Sequence, residues 1–194
     1  MKLYYAPGAC SLSDHIALHE ANIAFDHEKV DLNAKVTESG ADYTQINPKG
    51  YVPALALDTG EVVSENVAIL EWISQQDTLL VPPGPLGRTH LLEVLAYISS
   101  EVHKAFKPFF SGAGAEEKAE ARKTILKRLS YLSDTMQGNF LFGDAISAAD
   151  CYLFVMLLWA TKNEIALPAK LTGLRDRMQD RPAVQKAMQH EGLL

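Results

Sequence analysis

Seven residues divide this chain: Val81-Pro82-Pro83-Gly84-Pro85-Leu86-Gly87 deletes three backbone donors and frees the links between them, so neither a helix nor a strand runs through it. Before it, up to Asp77, strand and helix signals alternate; after it, only helical spacing remains. That pattern predicts an α/β domain over residues 1–78, a linker over 79–87 and an all-helical domain over 88–194.

Within the first part, the apolar and aromatic run Lys2 to Ala6 stops at Pro7-Gly8, as a buried strand ending in a turn does. Ser11 with Asp14 has the spacing of a capping box, and Leu12, Ile16, Ala17 and Leu18 supply the apolar side of a helix reaching about Ala21. Phe25 to Leu32 alternates like a half-exposed strand. Asn33 to Gln45 shows little periodicity and leads to the turn Asn47-Pro48-Lys49-Gly50. Pro53 to Leu57 and Glu61 to Val63 flank Asp58-Thr59-Gly60 as a hairpin, and Ser64 is placed to cap a helix carrying Val67, Ile69, Leu70 and Ile73. In the second part Leu91, Leu95, Ile98 and Val102 form one helical stripe and Ile125, Leu129, Leu132 and Met136 another. The alternating charges from Glu116 to Arg128 read as a solvated face, Gly112 to Ala115 as an interhelix loop, and Ser147-Ala-Ala-Asp150 as a fold-forming capping box.

Charge excludes one large class of function. With 18 Lys+Arg against 24 Asp+Glu the net charge is −6, unlike that of a basic nucleic-acid binder. No apolar stretch approaches the roughly 18 residues of a membrane span, and Met-Lys-Leu-Tyr-Tyr runs into a Pro-Gly turn instead of a leader's apolar region, so a cytoplasmic protein is expected. No His/Cys cluster has metal-ligand spacing, and neither Gly-x-Gly-x-x-Gly nor a P-loop occurs; no metal and no nucleotide cofactor is expected.

Of the two cysteines, Cys151 lies in a wholly apolar run and reads as core. Cys10 sits in a Gly/Ala/Ser turn just ahead of a helix start, where unpaired N–H groups favour a thiolate or another anion. Ser13 stands three residues on, so no Cys-x-x-Cys pair exists and a dithiol oxidoreductase is excluded. What remains is a monothiol that forms a mixed disulfide with a small thiol, or a site that stabilises a bound cosubstrate's thiolate.

The opening Lys2-Leu-Tyr-Tyr-Ala-Pro-Gly-Ala-Cys-Ser-Leu-Ser13 resembles the start of beta-class glutathione transferases, as do Val30-Asp-Leu32 with Lys35 and Thr37-Glu-Ser-Gly40. Ile46-Asn-Pro-Lys-Gly-Tyr-Val-Pro-Ala-Leu55 resembles that family's glutathione-clasping loop. Ser99-Ser-Glu-Val-His-Lys104, Gly143 with Ser147 to Asp150, and Arg181-Pro-Ala-Val184 resemble its helical domain. The similarity spans the chain.

The resemblance implies a thioredoxin-like N-terminal domain joined to an all-helical domain, a homodimer, and glutathione held as cosubstrate in the cleft. It implies a cis bond before Pro53, with the backbone of Val52 pairing to the cysteinyl unit beside Tyr51. It assigns Glu65 and Asn66 to the γ-glutamyl end, Lys35 to the glycyl carboxylate, Ser11 to the tripeptide, and Ser100, Glu101, Val102 and His103 to glutathione, partly from a neighbouring subunit. Cys10 and His103 take the catalytic positions, with Tyr5 a secondary hydroxyl near the sulfur; Lys104, Tyr152 and Trp159 border the electrophile pocket. The chain departs from the family's pattern at Asn66, usually Ser or Gly, at Ala96, often Asn, and at Asp14, often Pro. The expected activity is conjugation of glutathione to electrophilic small molecules, with glutathione-dependent thiol or peroxide reduction through Cys10 as a variant; the alternative is a non-catalytic adaptor or stress protein on the same scaffold.

Overall fold

The computed structural model describes all 194 residues, as two compact units: Met1–Thr78 with Asp180–Leu194, and Leu79–Gln179. The last fifteen residues therefore pack with the first unit and not with the expected 88–194 domain. The reason is the apolar side of α8 (Pro182–His190), where Val184, Ala187 and Met188 are buried, and which packs on α1 (Leu12–Glu20). Arg181 adds a two-pronged bond to the Glu20 carboxylate, at 2.5 and 2.8 Å.

The first unit is built on a five-stranded sheet ordered β3-β2-β1-β4-β5. β1 (Lys2–Tyr5) pairs in parallel with β2 (Asp26–Asp31) through the crossover helix α1, and β3 (Val36–Thr37), β4 (Ala54–Ala56) and β5 (Val62–Ser64) pair antiparallel with their neighbours. This is the thioredoxin-like order that the resemblance implies. Alternation along β1 sends Tyr4 to a core of Val30, Tyr43, Val52 and Ala54, and Leu3 and Tyr5 to the other face. The hairpin closes through Leu57 and Glu61 as its turn residues require. β3, two residues long, carries no period that a sequence reading can detect.

Two expected caps are not made. Ser11 has helical φ and ψ of −56° and −20°, and its hydroxyl turns back to the Ala6 amide and carbonyl at 3.3 and 3.4 Å. Ser64 is the last residue of β5, so Glu65 takes the N-terminal flank of α2 (Asn66–Gln76), at a φ of +79°.

The second unit is all helical: α3 (Gly87–Tyr97), continued by a π-helical turn over Ile98–His103, then α4 (Lys107–Phe110), α5 (Ala115–Thr135), α6 (Ala148–Lys162) and α7 (Ala169–Gln179). Both expected stripes are buried; Leu91, Leu95, Ile98, Val102, Ile125 and Leu129 have no exposed surface. Each such side chain contributes about 1.5–3 kcal/mol on leaving water. α6 is buried almost all round, Cys151 included, as a central helix must be. Its capping box is present: the Asp150 carboxylate accepts from the Ser147 N–H and hydroxyl at 2.8 and 2.6 Å, and also from the Leu141 N–H at 2.9 Å. No helix is long and apolar enough to cross a membrane.

Candidate active site

In the first unit, the turn after β1 places Cys10 at the mouth of α1, and the loop before β4 carries Val52 to it: the thiol donates to the Val52 carbonyl oxygen at 3.6 Å. The Val52-Pro53 peptide bond is cis, as the resemblance implies. The expected thiolate is not favoured. Burial pushes the Cys10 thiol up to about 12, the negative charge of Asp14 pushes the same way, and the backbone N–H groups of Cys10 and Ser11 do not offset them. The helix terminus thus holds a neutral S–H, which is a donor, in place of an anion.

Asn66 holds the start of α2 against the start of α1. Its amide nitrogen lies 2.9 Å from the Cys10 carbonyl oxygen, 2.6 Å from the Ser13 hydroxyl and 3.0 Å from an Asp14 carboxyl oxygen. Two hydrogens serve three acceptors, so this amide nitrogen is committed within the protein. Asp14 is fully buried and its other carboxyl oxygen has no hydrogen-bond partner. Burial raises its pKa well above the usual carboxylate value. The change from the family's Pro at this position is therefore larger than a change within a first helical turn suggests.

The Glu65 carboxylate accepts from Lys49 Nζ at 2.6 Å and from the Tyr51 hydroxyl at 2.5 Å, and these bonds hold it below the usual carboxylate range. A left-handed conformation at a residue with a side chain costs about 1–3 kcal/mol, and here it sets that carboxylate at the head of α2. Lys49 lies in the turn and in the segment resembling the clasping loop but is not singled out there as a site residue; a cation inside Asn-Pro-Lys-Gly is the available signal. Lys35, itself at a φ of +59°, donates to the Gly50 carbonyl oxygen at 2.6 Å. A Cβ on Gly50 would meet the Lys35 stem at 3.4 Å and would sit at a φ of +69°, so glycine keeps that approach open.

Ser11 is completely buried. Tyr5 is not gathered with this group by any hydrogen bond: its hydroxyl donates to the His190 carbonyl oxygen at 3.2 Å and its ring packs on His15 and His27.

In the second unit, the π-helical turn presents His103, whose Nδ1 lies 2.6 Å from the Tyr152 hydroxyl and whose ring meets Trp159 edge-on at 5.0 Å. Burial lowers the His103 pKa, favouring the neutral ring. His103, Lys104, Lys107, Phe110 and Ser111 line an open pocket, and Phe110 meets Trp159 edge-on at 4.9 Å while remaining 62% exposed. Tyr152 is buried beneath it, so it supports His103 more than it borders the pocket. Lys107 and Phe110 are not among the residues that the sequence singles out; the available signal is a cation four residues and an aromatic seven residues beyond a candidate histidine. Val102 has no exposed side chain, Ser100 is exposed, and Glu101 pairs with Arg128 at 2.5 Å.

Family models for the glutathione S-transferase N-terminal domain and C-terminal domain match residues 9–76 and 95–189. Glutathione S-transferase GstA of Escherichia coli O157:H7 is 40% identical over 200 residues, covering 100% of both chains. Among solved structures, a sphingomonad glutathione S-transferase complexed with glutathione is 43% identical with a TM-score of 0.92, over 100% of both chains. The beta-class glutathione S-transferase of Sphingomonas chungbukensis is 41% identical with a TM-score of 0.91, again over 100% of both. With both domains matched in order and relatives of this identity along its whole length, the chain belongs to the glutathione S-transferase family of enzymes, in its beta class.

Proposed function

We propose that this enzyme conjugates glutathione to electrophilic small molecules, with Cys10 acting as a neutral hydrogen-bond donor to the glutathione sulfur. The observation that carries the reading is geometric: the Cys10 thiol at the mouth of α1 already donates to the Val52 carbonyl oxygen at 3.6 Å, and burial, which pushes the thiol up, works with it. A donor aimed at a sulfur favours the anionic form of that sulfur, so glutathione becomes the nucleophile while Cys10 keeps its proton. The mixed-disulfide route needs a Cys10 thiolate, and the same burial works against it.

In this reading the Val52 backbone pairs with the cysteinyl unit. The ammonium of the γ-glutamyl end goes to Glu65, joining or displacing Lys49, and its carboxylate goes to the N–H groups at the head of α2. The committed amide nitrogen of Asn66 supports this site by fixing α2. Lys35 exchanges the Gly50 carbonyl for the glycyl carboxylate. Phe110 and the neutral His103 ring supply an apolar surface with the cations Lys104 and Lys107 at its rim, suited to aromatic electrophiles that accumulate negative charge. The resemblance extends the reading to a homodimer in the cytoplasm, with Ser100 and Glu101 reaching glutathione across subunits.

Retention on immobilised glutathione followed by turnover of a chromogenic electrophile tests the reading. Retention with conjugation supports it. Retention by well-folded protein without turnover points to the adaptor alternative, and mixed-disulfide reduction faster than conjugation points to the redox variant.

A further inference from the structure

The sequence shows no metal-ligand spacing, yet the fold of the first unit assembles one. His15 comes from α1, His27 from β2 and His190 from the end of α8, and one ring nitrogen from each lies within 4.8 Å of the others. The His15 Nε2 and His190 Nδ1 atoms are 3.2 Å apart, close to the roughly 3.3 Å that two ligands at about 2.0–2.1 Å subtend in a tetrahedral zinc site. The His27 ring stacks on the His190 ring, with centroids 4.5 Å apart and planes 14° from parallel, so one of the two must turn about its side-chain bonds to bring a lone pair toward the ion. His27 and His190 also border a groove shared with Lys2, His19, Phe25 and Lys186, which gives an ion a route in from solvent.

Two further features make this more than a crowd of rings. The other nitrogen of His15, Nδ1, lies 3.0 Å from a carboxyl oxygen of Glu191, and the second oxygen of that carboxyl accepts from the Gly8 N–H at 2.9 Å. A carboxylate on the far nitrogen of a ligating histidine fixes the tautomer that offers its lone pair to a metal, and it raises the basicity of the ring. The second feature is His19, whose Nε2 is buried without a hydrogen-bond partner while its ring lies 5.3 Å from His15 and 5.2 Å from His190. Four imidazoles in contact have little reason to be grouped for packing alone, since each brings polar atoms to be satisfied.

We propose that His15, His27 and His190 form a binding site for a divalent transition-metal ion, with Glu191 orienting His15 and the fourth position open to water or to His19. Imidazole donors select zinc, cobalt, nickel or copper over magnesium or calcium, which take oxygen ligands. The ion ties the C-terminal helix to the sheet and to α1, so its binding stabilises the first unit by mass action. None of the residues assigned to glutathione or to the electrophile is a ligand, and the site stands whether or not conjugation occurs.

The experiment uses untagged full-length protein stripped with a chelator and titrated with cobalt(II) and zinc(II) chloride, followed by calorimetry, cobalt absorption and thermal melting. One equivalent should bind, with an intense visible cobalt band lacking thiolate charge transfer, and the melting temperature should rise. His27→Gln and His190→Gln should each weaken binding at least tenfold, and Glu191→Gln by about 10–100-fold. The His27 side chain lies at the groove rim, so that variant should melt like the metal-free parent and isolates ligation from folding. The proposal is overturned if neither ion binds saturably below about 1 mM, or if uptake survives in the His27→Gln/His190→Gln double variant.

Discussion

The Cys10 thiol donates to the carbonyl oxygen of Val52 across 3.6 Å, and it does so as a neutral group. In the proposed reading, glutathione pairs with the Val52 backbone and its sulfur competes for that proton. The arrangement separates a thiol that activates another thiol from a thiol that attacks, and these two roles predict different chemistry.

Because burial pushes Cys10 up to about 12, the ligand-free enzyme should show no thiolate absorbance from this residue at neutral pH, and alkylation should stay slow until the solution is strongly alkaline. Cys10→Ala removes a hydrogen bond to a charged sulfur, an effect of about 1.5–3 kcal/mol, and so should slow conjugation roughly 10–150-fold while raising the apparent pKa of bound glutathione. Cys10→Ser keeps a donor and should recover most of the rate. A Cys10 that alkylates fully at neutral pH in ligand-free protein would sink the donor role.

Asn66 joins two helix starts through the Cys10 carbonyl, Ser13 and Asp14. Asn66→Ala should lower unfolding free energy by about 1–3 kcal/mol, since it leaves buried acceptors without a donor. In an Asp14→Ala background the same substitution should cost less, because the carboxyl it strands is gone. Chemical denaturation of the four proteins of that cycle measures the coupling; equal costs in both backgrounds would show that Asn66 acts through the Cys10 carbonyl and Ser13 and not through Asp14.

Turn chemistry made much of this fold readable: Pro7-Gly8, the Asp58-Thr59-Gly60 hairpin and the Ser147/Asp150 box each encode their local geometry within a few residues. Ser11 shows where such reading fails. The sequence has the spacing of a capping box, but the turn from β1 leaves Ser11 in helical conformation, and its hydroxyl meets Ala6 instead of the helix. Likewise helical spacing reveals that Pro182–His190 is a helix, but nothing local tells which unit its apolar side will cover. The histidine cluster was illegible for a related reason: His15 and His190 are separated by 175 residues, and only the docking of α8 on α1 brings them together. Within the site, Cys10 and His103 are readable as residue types, while the protonation of Cys10 depends on how far the fold, which leaves it half-buried, removes it from water.

Gly87 begins α3 where a Cβ would lie 1.8 Å from the Pro82 carbonyl oxygen, and backbone cannot yield as the end of a flexible side chain can. Gly87→Ala should therefore destabilise the protein by about 3 kcal/mol or more, at or beyond the usual range for overpacking. Gly114→Ala is the matched control: its φ of −69° is open to any residue, and no atom lies within 4 Å of the added carbon. Comparable melting temperatures for the two variants would contradict the close approach.

His103 is kept neutral by burial, its pKa lowered from 6.5, while Tyr152 engages Nδ1 at 2.6 Å. In the unfolded chain the ring takes up a proton near 6.5; in the folded protein it does so only at lower pH. The stability this group contributes is thus fully present above pH 6.5 and is lost as pH falls through the folded-state value, the unfolded chain binding more protons across that window. An NMR titration should place the His103 midpoint below 6.5, and His103→Gln should flatten the decline in stability between pH 6.5 and that midpoint. Conjugation should show no step from this residue above pH 6.5, because the ring is neutral there, with Tyr152 at its Nδ1. Tyr152→Phe removes the Nδ1 partner and leaves the edge-on Trp159 contact in place, so it should disturb the electrophile KM while leaving the glutathione KM nearly unchanged. A titration midpoint above 6.5 would mean that a buried anion faces this ring, and the role argued for it would have to change sign.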